Sequence, residues 1–173
     1  NNESYRHHYL KKLNLDKSRI HFIGYLKYEE MLQVMQISSA HIYLTYPFVL
    51  SWSMLEAMAA GCLMICSNTP PVLEVIEDGK NGFLVDFFSP EQLANKLDEV
   101  LDKQNSFGAI RQAARKTVVD RYDLKKVLPM HISLIKDLAE RKLPPPTEQT
   151  IKDFNKQFSN EYITSRFLNK KAA

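Results

Sequence analysis

Residues 53–66 read Ser53-Met54-Leu55-Glu56-Ala57-Met58-Ala59-Ala60-Gly61-Cys62-Leu63-Met64-Ile65-Cys66, and the change of pattern inside this stretch decides the fold. Ser53 to Ala60 is made of strong helix formers, and Gly61 is the residue type that most often ends a helix in the left-handed conformation. Cys62 to Cys66 is then apolar at every position, as a strand covered on both faces should be. The alternation recurs outward. Upstream, Arg19 to Gly24 reads as a short strand ending in Gly, Tyr28 to Ile37 carries Met31, Leu32, Val34 and Met35 at helical spacing, and His41 to Tyr46 is strand-like again. Downstream, a short helix is expected over Pro71 to Glu77 and a turn over Asp78 to Gly82. Phe83-Leu84-Val85 follows as a third or fourth strand, according to whether Ile20 to Gly24 joins the same sheet.

Ser89-Pro90-Glu91-Gln92 is a capping box with Pro at the first helical position, and Leu93, Leu97, Val100 and Leu101 form the buried stripe of the helix it opens. Helices are also expected over Ala109 to Asp120 and Lys125 to Leu143, until Pro144-Pro145-Pro146 breaks the pattern. Short apolar strands alternating with helices predict an α/β fold, a Rossmann-like parallel sheet sandwiched by helices, over residues 1–143. Residues 144–173 read as a polar basic tail, helical or docking in character.

Composition sets the outer bounds. The chain has 173 residues, 45% apolar and 25% charged, which suits one soluble core and excludes disordered, collagenous and disulfide-rich classes. No apolar run approaches the roughly 20 residues of a membrane helix, and the opening stretch is polar and His-rich rather than signal-like, so a cytoplasmic location is the expectation. Cys62 and Cys66 would stand roughly 13 Å apart in an extended strand, beyond disulfide reach, and read as buried thiols. Neither belongs to a C-x-x-C pair, which argues against zinc. Residues 138–173 hold seven Lys or Arg against four Asp or Glu, whereas residues 1–137 hold sixteen of each. A neutral body without aromatic and basic residues interleaved offers nothing to nucleic acid.

In a parallel sheet, ligands sit beyond the carboxyl ends of the strands. The stretch Thr45 to Trp52 is such a strand end and leads into the helix that begins near Ser53, whose first N–H groups and dipole form an anion cradle. Ser51 and Ser53 add hydroxyl donors, and the Glu56 carboxylate, one turn in, can accept two hydrogen bonds from a vicinal diol such as ribose. Ser53-x-x-Glu56 is equally a capping box, with Glu56 merely reaching back to the Ser53 N–H. Glu74 and Glu77 read as solvated, Met31, Met35, Met54 and Met58 as core, and no G-x-S-x-G elbow or well-placed His supports hydrolysis.

The string Leu55-Glu56-Ala57-Met58-Ala59-Ala60-Gly61, then Pro71-x-x-Glu74 and Asp78-Gly79-x-Asn81-Gly82-Phe83-Leu84-Val85, resembles the C-terminal half of retaining glycosyltransferases of GT-B fold, family 4 above all. His21 to Leu26, Ser39 to Leu44 and Ser89 to Ala94 extend the resemblance over roughly residues 10–125. It implies that Glu56, matching the second Glu of the family's Glu-x7-Glu motif, binds the ribose of a nucleoside diphosphate sugar donor. The Trp52 and Ser53 backbone N–H groups match those holding the distal phosphate. Tyr25 and Leu26 match the base-contacting loop. It further implies a hexose transferred to a glycan, lipid-linked or small-molecule acceptor, with no obligatory metal and no cofactor.

Two departures qualify it. The first Glu of the motif is Phe48, and the Gly-Phe-Gly that usually follows is Val49-Leu50-Ser51, so the donor-sugar position is occupied by Phe48, Val49 and Leu50. The family's phosphate-clamping Arg and Lys and its N-terminal acceptor-binding domain have no counterpart here, which implies a fragment inactive alone. A non-catalytic interaction domain, favoured by Phe48, and an epimerase-like or phosphorylase-like GT-B protein stay open. For the basic tail, docking on the missing domain, peripheral contact with an anionic membrane at its inner face and a solvated end all stay open.

Overall fold

The computed structural model describes residues 4–13, 15–46, 49–140 and 146–157. It divides into two compact units, Asn1–Asp123 and Leu124–Ala173. The domain boundary expected after residue 143 lies outside the described residues.

The first unit is an α/β layer structure. Three strands, β1 (His41–Tyr43), β2 (Met64–Ser67) and β3 (Phe83–Val85), pair in parallel in chain order. His41 faces Met64 in the register, and Ile65 faces Phe83. Around them run α1 (Tyr5–Lys12), α2 (Tyr28–Ile37), α3 (Trp52–Ala60), α4 (Pro70–Leu73), α5 (Pro90–Asp102) and α6 (Gly108–Tyr122). Strand β2 is buried at all four residues, as a central parallel strand covered on both faces must be. One face meets Met54, Met58, Val72, Ile76 and Ala114, and the other meets Val100, Phe107 and Phe83.

Most elements lie where the residue pattern puts them, and the differences have local causes. The strand expected over Ile20 to Gly24 does not form: Lys17–Arg19 is a single 3₁₀ turn, and residues 20–27 carry no regular structure, with His21, Phe22 and Ile23 exposed. A strand is held by its ladder and its buried face, and these residues have neither. Strand β2 starts at Met64 rather than Cys62, because the Cys62 N–H turns back to the Ala57 carbonyl (3.0 Å) and its thiol donates to the Met35 carbonyl (2.9 Å). Helix α4 stops at Leu73 instead of Glu77, since Asn81 accepts from the Glu77 N–H (2.8 Å) and donates to the Val75 carbonyl (2.9 Å), bending the chain into its turn.

That turn returns the chain to β3. Asn81 is 4% exposed and also donates to the Thr117 hydroxyl (3.1 Å) of α6. Gly82 packs so closely that an added Cβ would stand 3.2 Å from Ile76 and Met64, which only a glycine avoids. At α5, Ser89 accepts the Gln92 N–H (3.2 Å) as expected, but the Gln92 side chain accepts from the Asp86 N–H (3.1 Å), so only half of the box closes on itself. Cys62 and Cys66 are buried free thiols, and burial pushes Cys66 up to about 12.

The second unit contains α7 (Leu124–Ala139), with Pro129 inside it, and α8 (Glu148–Gln157). Among the described residues no helix is long and apolar enough to cross a membrane.

Candidate functional site

The carboxyl ends of the strands carry the groups singled out in the sequence. Helix α3 begins at Trp52 with Ser51 as its N-cap, two residues earlier than a Ser53 cap would set it. The capping-box alternative for Glu56 is thereby excluded: a box on Ser51 would need its acid at position 54, which is Met54, buried in the core. Glu56 is free to serve another partner. It lies three and four residues after Ser53 and Trp52, so all three share one helix face, opposite Met54, Ala57 and Met58.

The start of α3 is lightly capped. The Ser51 hydroxyl accepts the Ser53 N–H at 3.3 Å and sits 3.0 Å from the Ser53 hydroxyl. Trp52 is 83% exposed. The Ser51 N–H is spoken for, donating to the Tyr43 hydroxyl at 2.8 Å, which pins the returning loop to the end of β1. The first amides of α3 are those of Trp52 and of Ser53, the latter held only by the long cap to the Ser51 hydroxyl, and the two neighbouring hydroxyls can turn to donate as well.

Glu56 meets Tyr28, the first residue of α2, whose phenol donates a hydrogen bond to it. The negative charge of Glu56 raises the Tyr28 pKa, with burial and that hydrogen bond adding to the effect. Tyr25 and Leu26 precede Tyr28 by three and two residues, in the loop that leads into α2. The loop enters α2 through a second tie, the Lys27 N–H donating to Glu30 at 2.9 Å. Tyr25 is fully exposed and Leu26 half-buried.

Of the expected donor-sugar residues, Phe48 lies outside the described residues, Val49 is exposed, and Leu50 is half-buried against the core. Leu50 thus anchors the end of the loop on the core just before α3. Glu74 and Glu77 are exposed, and Glu77 pairs with Lys80 at 2.7 Å.

Three contributors escaped the sequence reading. Tyr28 and Tyr43 are ordinary-looking residues in a helix and a strand, and only the fold brings their hydroxyls to Glu56 and Ser51. Arg111 of α6 donates to the carbonyls of Ser38, Ser39 and Gly61, fastening the far end of α3. Its single cue was a charge at a helical position that the apolar pattern would bury.

Residues 1–117 match the family described as glycosyl transferases group 1. An uncharacterized glycosyltransferase of Methanocaldococcus jannaschii is 28% identical over 120 residues, covering 68% of this chain and 31% of that protein. The chain spans about a third of the length of the curated relatives it matches. Among solved structures, the C-terminal domain of a glycosyl transferase group 1 family protein, LpcC, from Francisella tularensis is 28% identical, with a TM-score of 0.51 over 58% of this chain and 52% of that one. Anabaena HepE in complex with UDP and glucose has a TM-score of 0.67 at 20% identity, over 76% of this chain and 35% of that one, which speaks to the fold.

Proposed function

The chain belongs to the glycosyl transferases group 1 family, and on that premise we propose that its α3 edge binds the nucleoside diphosphate of a sugar donor. The observation that carries this reading is the open start of α3. The Trp52 N–H, a Ser53 N–H held by one long cap, two hydroxyls and the positive end of the helix stand together after β1, with a carboxylate one turn away that no capping box uses. Pyrophosphate takes the amides of Trp52 and Ser53, and Glu56 takes the ribose diol. Tyr25 and Leu26 cover the base. Tyr28 holds Glu56 in place by its hydroxyl and restrains the base loop at the same time.

Chemically, this arrangement favours departure of the nucleotide. As the glycosidic bond breaks, negative charge grows on the distal phosphate, and fixed amide dipoles already aimed there stabilise it without reorganising. Retention at the anomeric carbon, family 4 membership, a glycan, lipid-linked or small-molecule acceptor and independence of a metal follow from the resemblance alone and extend the proposal. So does the expectation that an acceptor-binding domain completes the enzyme, in the cytoplasm or at the inner face of a membrane. A non-catalytic interaction domain is the second reading, favoured by Phe48 where the family places a sugar-binding Glu.

Calorimetry on the full protein with UDP, GDP and ADP separates the two. A transferase binds one of these, and Glu56→Ala weakens that binding by about 1–3 kcal/mol, the range for losing hydrogen bonds to a charged group. Binding that Glu56→Ala leaves unchanged, or no binding to any of the three, overturns the donor-site reading.

A further inference from the structure

Beyond the nucleotide, the same edge carries an aromatic cluster that the donor reading leaves without a role. Tyr46 follows β1 by three residues, and Phe87 and Phe88 follow β3 by two and three. The Tyr46 and Phe87 rings stack with centroids 5.3 Å apart. Phe88 stands edge-on to both, at 4.9 Å from Tyr46 and 5.1 Å from Phe87. The rings thus meet across the carboxyl end of the middle strand. Among the described residues, none of the three takes part in either core cluster, and Phe88 is 56% exposed.

Large aromatic rings outside the core, two half-buried and Phe88 exposed, packed on one another at the ligand edge of a parallel sheet, suit a flat, half-apolar ligand. A pyranose is such a ligand: its axial C–H groups make one face apolar, and its hydroxyls point outward around the ring. Polar groups for those hydroxyls flank the cluster. Asn68 is exposed just past β2. Asp86 is exposed and accepts the Phe88 N–H (2.9 Å), which holds the ring in place and leaves the carboxylate further lone pairs. Tyr46 also opens the loop that ends at the anion-binding amides, and Phe48, within that loop, supplies no carboxylate.

We propose that Tyr46, Phe87 and Phe88 form a stacking platform for a pyranose ring, of the sugar donor or of a sugar acceptor. The proposal deepens the donor-site reading and rests on it for the identity of the edge. Stacking takes the place of hydrogen bonding in holding the sugar, in keeping with a sequence that has Phe48 where the family has a sugar-binding Glu.

The test compares wild type, Phe88→Ala and Phe88→Tyr of the full protein against three probes: UDP and UDP-glucose by calorimetry, and methyl α-glucopyranoside by saturation-transfer NMR. Thermal melts check that the variants fold, as a side chain this exposed should allow. If the donor sugar stacks, Phe88→Ala weakens UDP-glucose about three- to tenfold and leaves UDP unchanged, while Phe88→Tyr, which keeps a ring, behaves as wild type. If an acceptor stacks, the loss appears with the methyl glucoside alone. Equal loss for UDP and UDP-glucose, no loss with any probe, or no binding of either sugar-bearing probe to the wild type overturns the platform. Failure of wild type to bind UDP, GDP or ADP while the glucoside signal still depends on Phe88 overturns the nucleotide reading and leaves the platform standing.

Discussion

The two ends of α3 are built in opposite ways. At its C-terminus, Gly61 adopts φ +86° and returns its N–H to the Met58 carbonyl (3.1 Å), and Cys62 returns its own to Ala57 (3.0 Å). Arg111 donates to the Gly61 carbonyl, and Arg115 to that of Ala59. Most carbonyls that this helix end leaves unpaired have a partner, two of them cationic, as the negative end of the dipole favours. At the N-terminus, a single serine caps at 3.3 Å, beside an exposed Trp52. One end is closed by the protein itself. The other has one long serine cap, and under the donor-site proposal its donors are what an incoming anion would meet.

If that contrast holds, damage to the closed end costs stability and spares nucleotide affinity. Arg111→Ala is expected to do the most harm. It strips cationic donors from the carbonyls of Ser38, Ser39 and Gly61, all in a partly buried setting, and should lower stability by about 2–3 kcal/mol in urea unfolding. Gly61→Ala comes next. Nothing stands within 4 Å of an added Cβ, so the cost is only that of holding an L-residue in the left-handed region, about 1–2 kcal/mol. An equal drop in UDP affinity for either variant would break the contrast, since it would mean that the two ends are not independent. Glu56→Ala is the mirror case, with its loss confined to binding.

How far the residues alone announced this arrangement follows from the same physics. Local rules act over a few residues, so Gly61 as helix stop, Ser89-Pro90 as helix start and the continuous apolar run of β2 were readable. Each is enforced by its own neighbours in the chain. Glu56 was readable only as a choice between two roles, and a shift of two residues in the cap, from Ser53 to Ser51, removes the capping-box role and leaves diol binding as a proposal. Ile20 to Gly24 misled because β-branched and aromatic residues suggest a strand whether or not a partner strand is there to pair with it. Tyr28, Tyr43, Arg111 and the aromatic trio could not be read at all, because their partners lie 8 to 73 residues away in sequence or on other elements. Those contacts are products of the fold, and the candidate site is made largely of them.

The smallest expected effect sharpens the contrast most, because its two consequences have opposite signs. Ser51→Asp places a carboxylate at the open end of α3. Aspartate caps a helix as well as serine does, and its charge meets the positive end of the dipole, so stability should rise by about 0.3–1 kcal/mol. The same charge would stand against an incoming pyrophosphate and would hold the Ser53 N–H more tightly than the serine hydroxyl does. At an exposed site, one like charge at contact distance costs about 1 kcal/mol, so UDP should bind several-fold more weakly at low salt, with the penalty shrinking as salt is added. A variant that unfolds later and binds worse is what an end kept open for an anion requires. A variant that gains stability and binds UDP as wild type does would place the diphosphate elsewhere, and the open end of α3 would then be no more than a loosely capped helix.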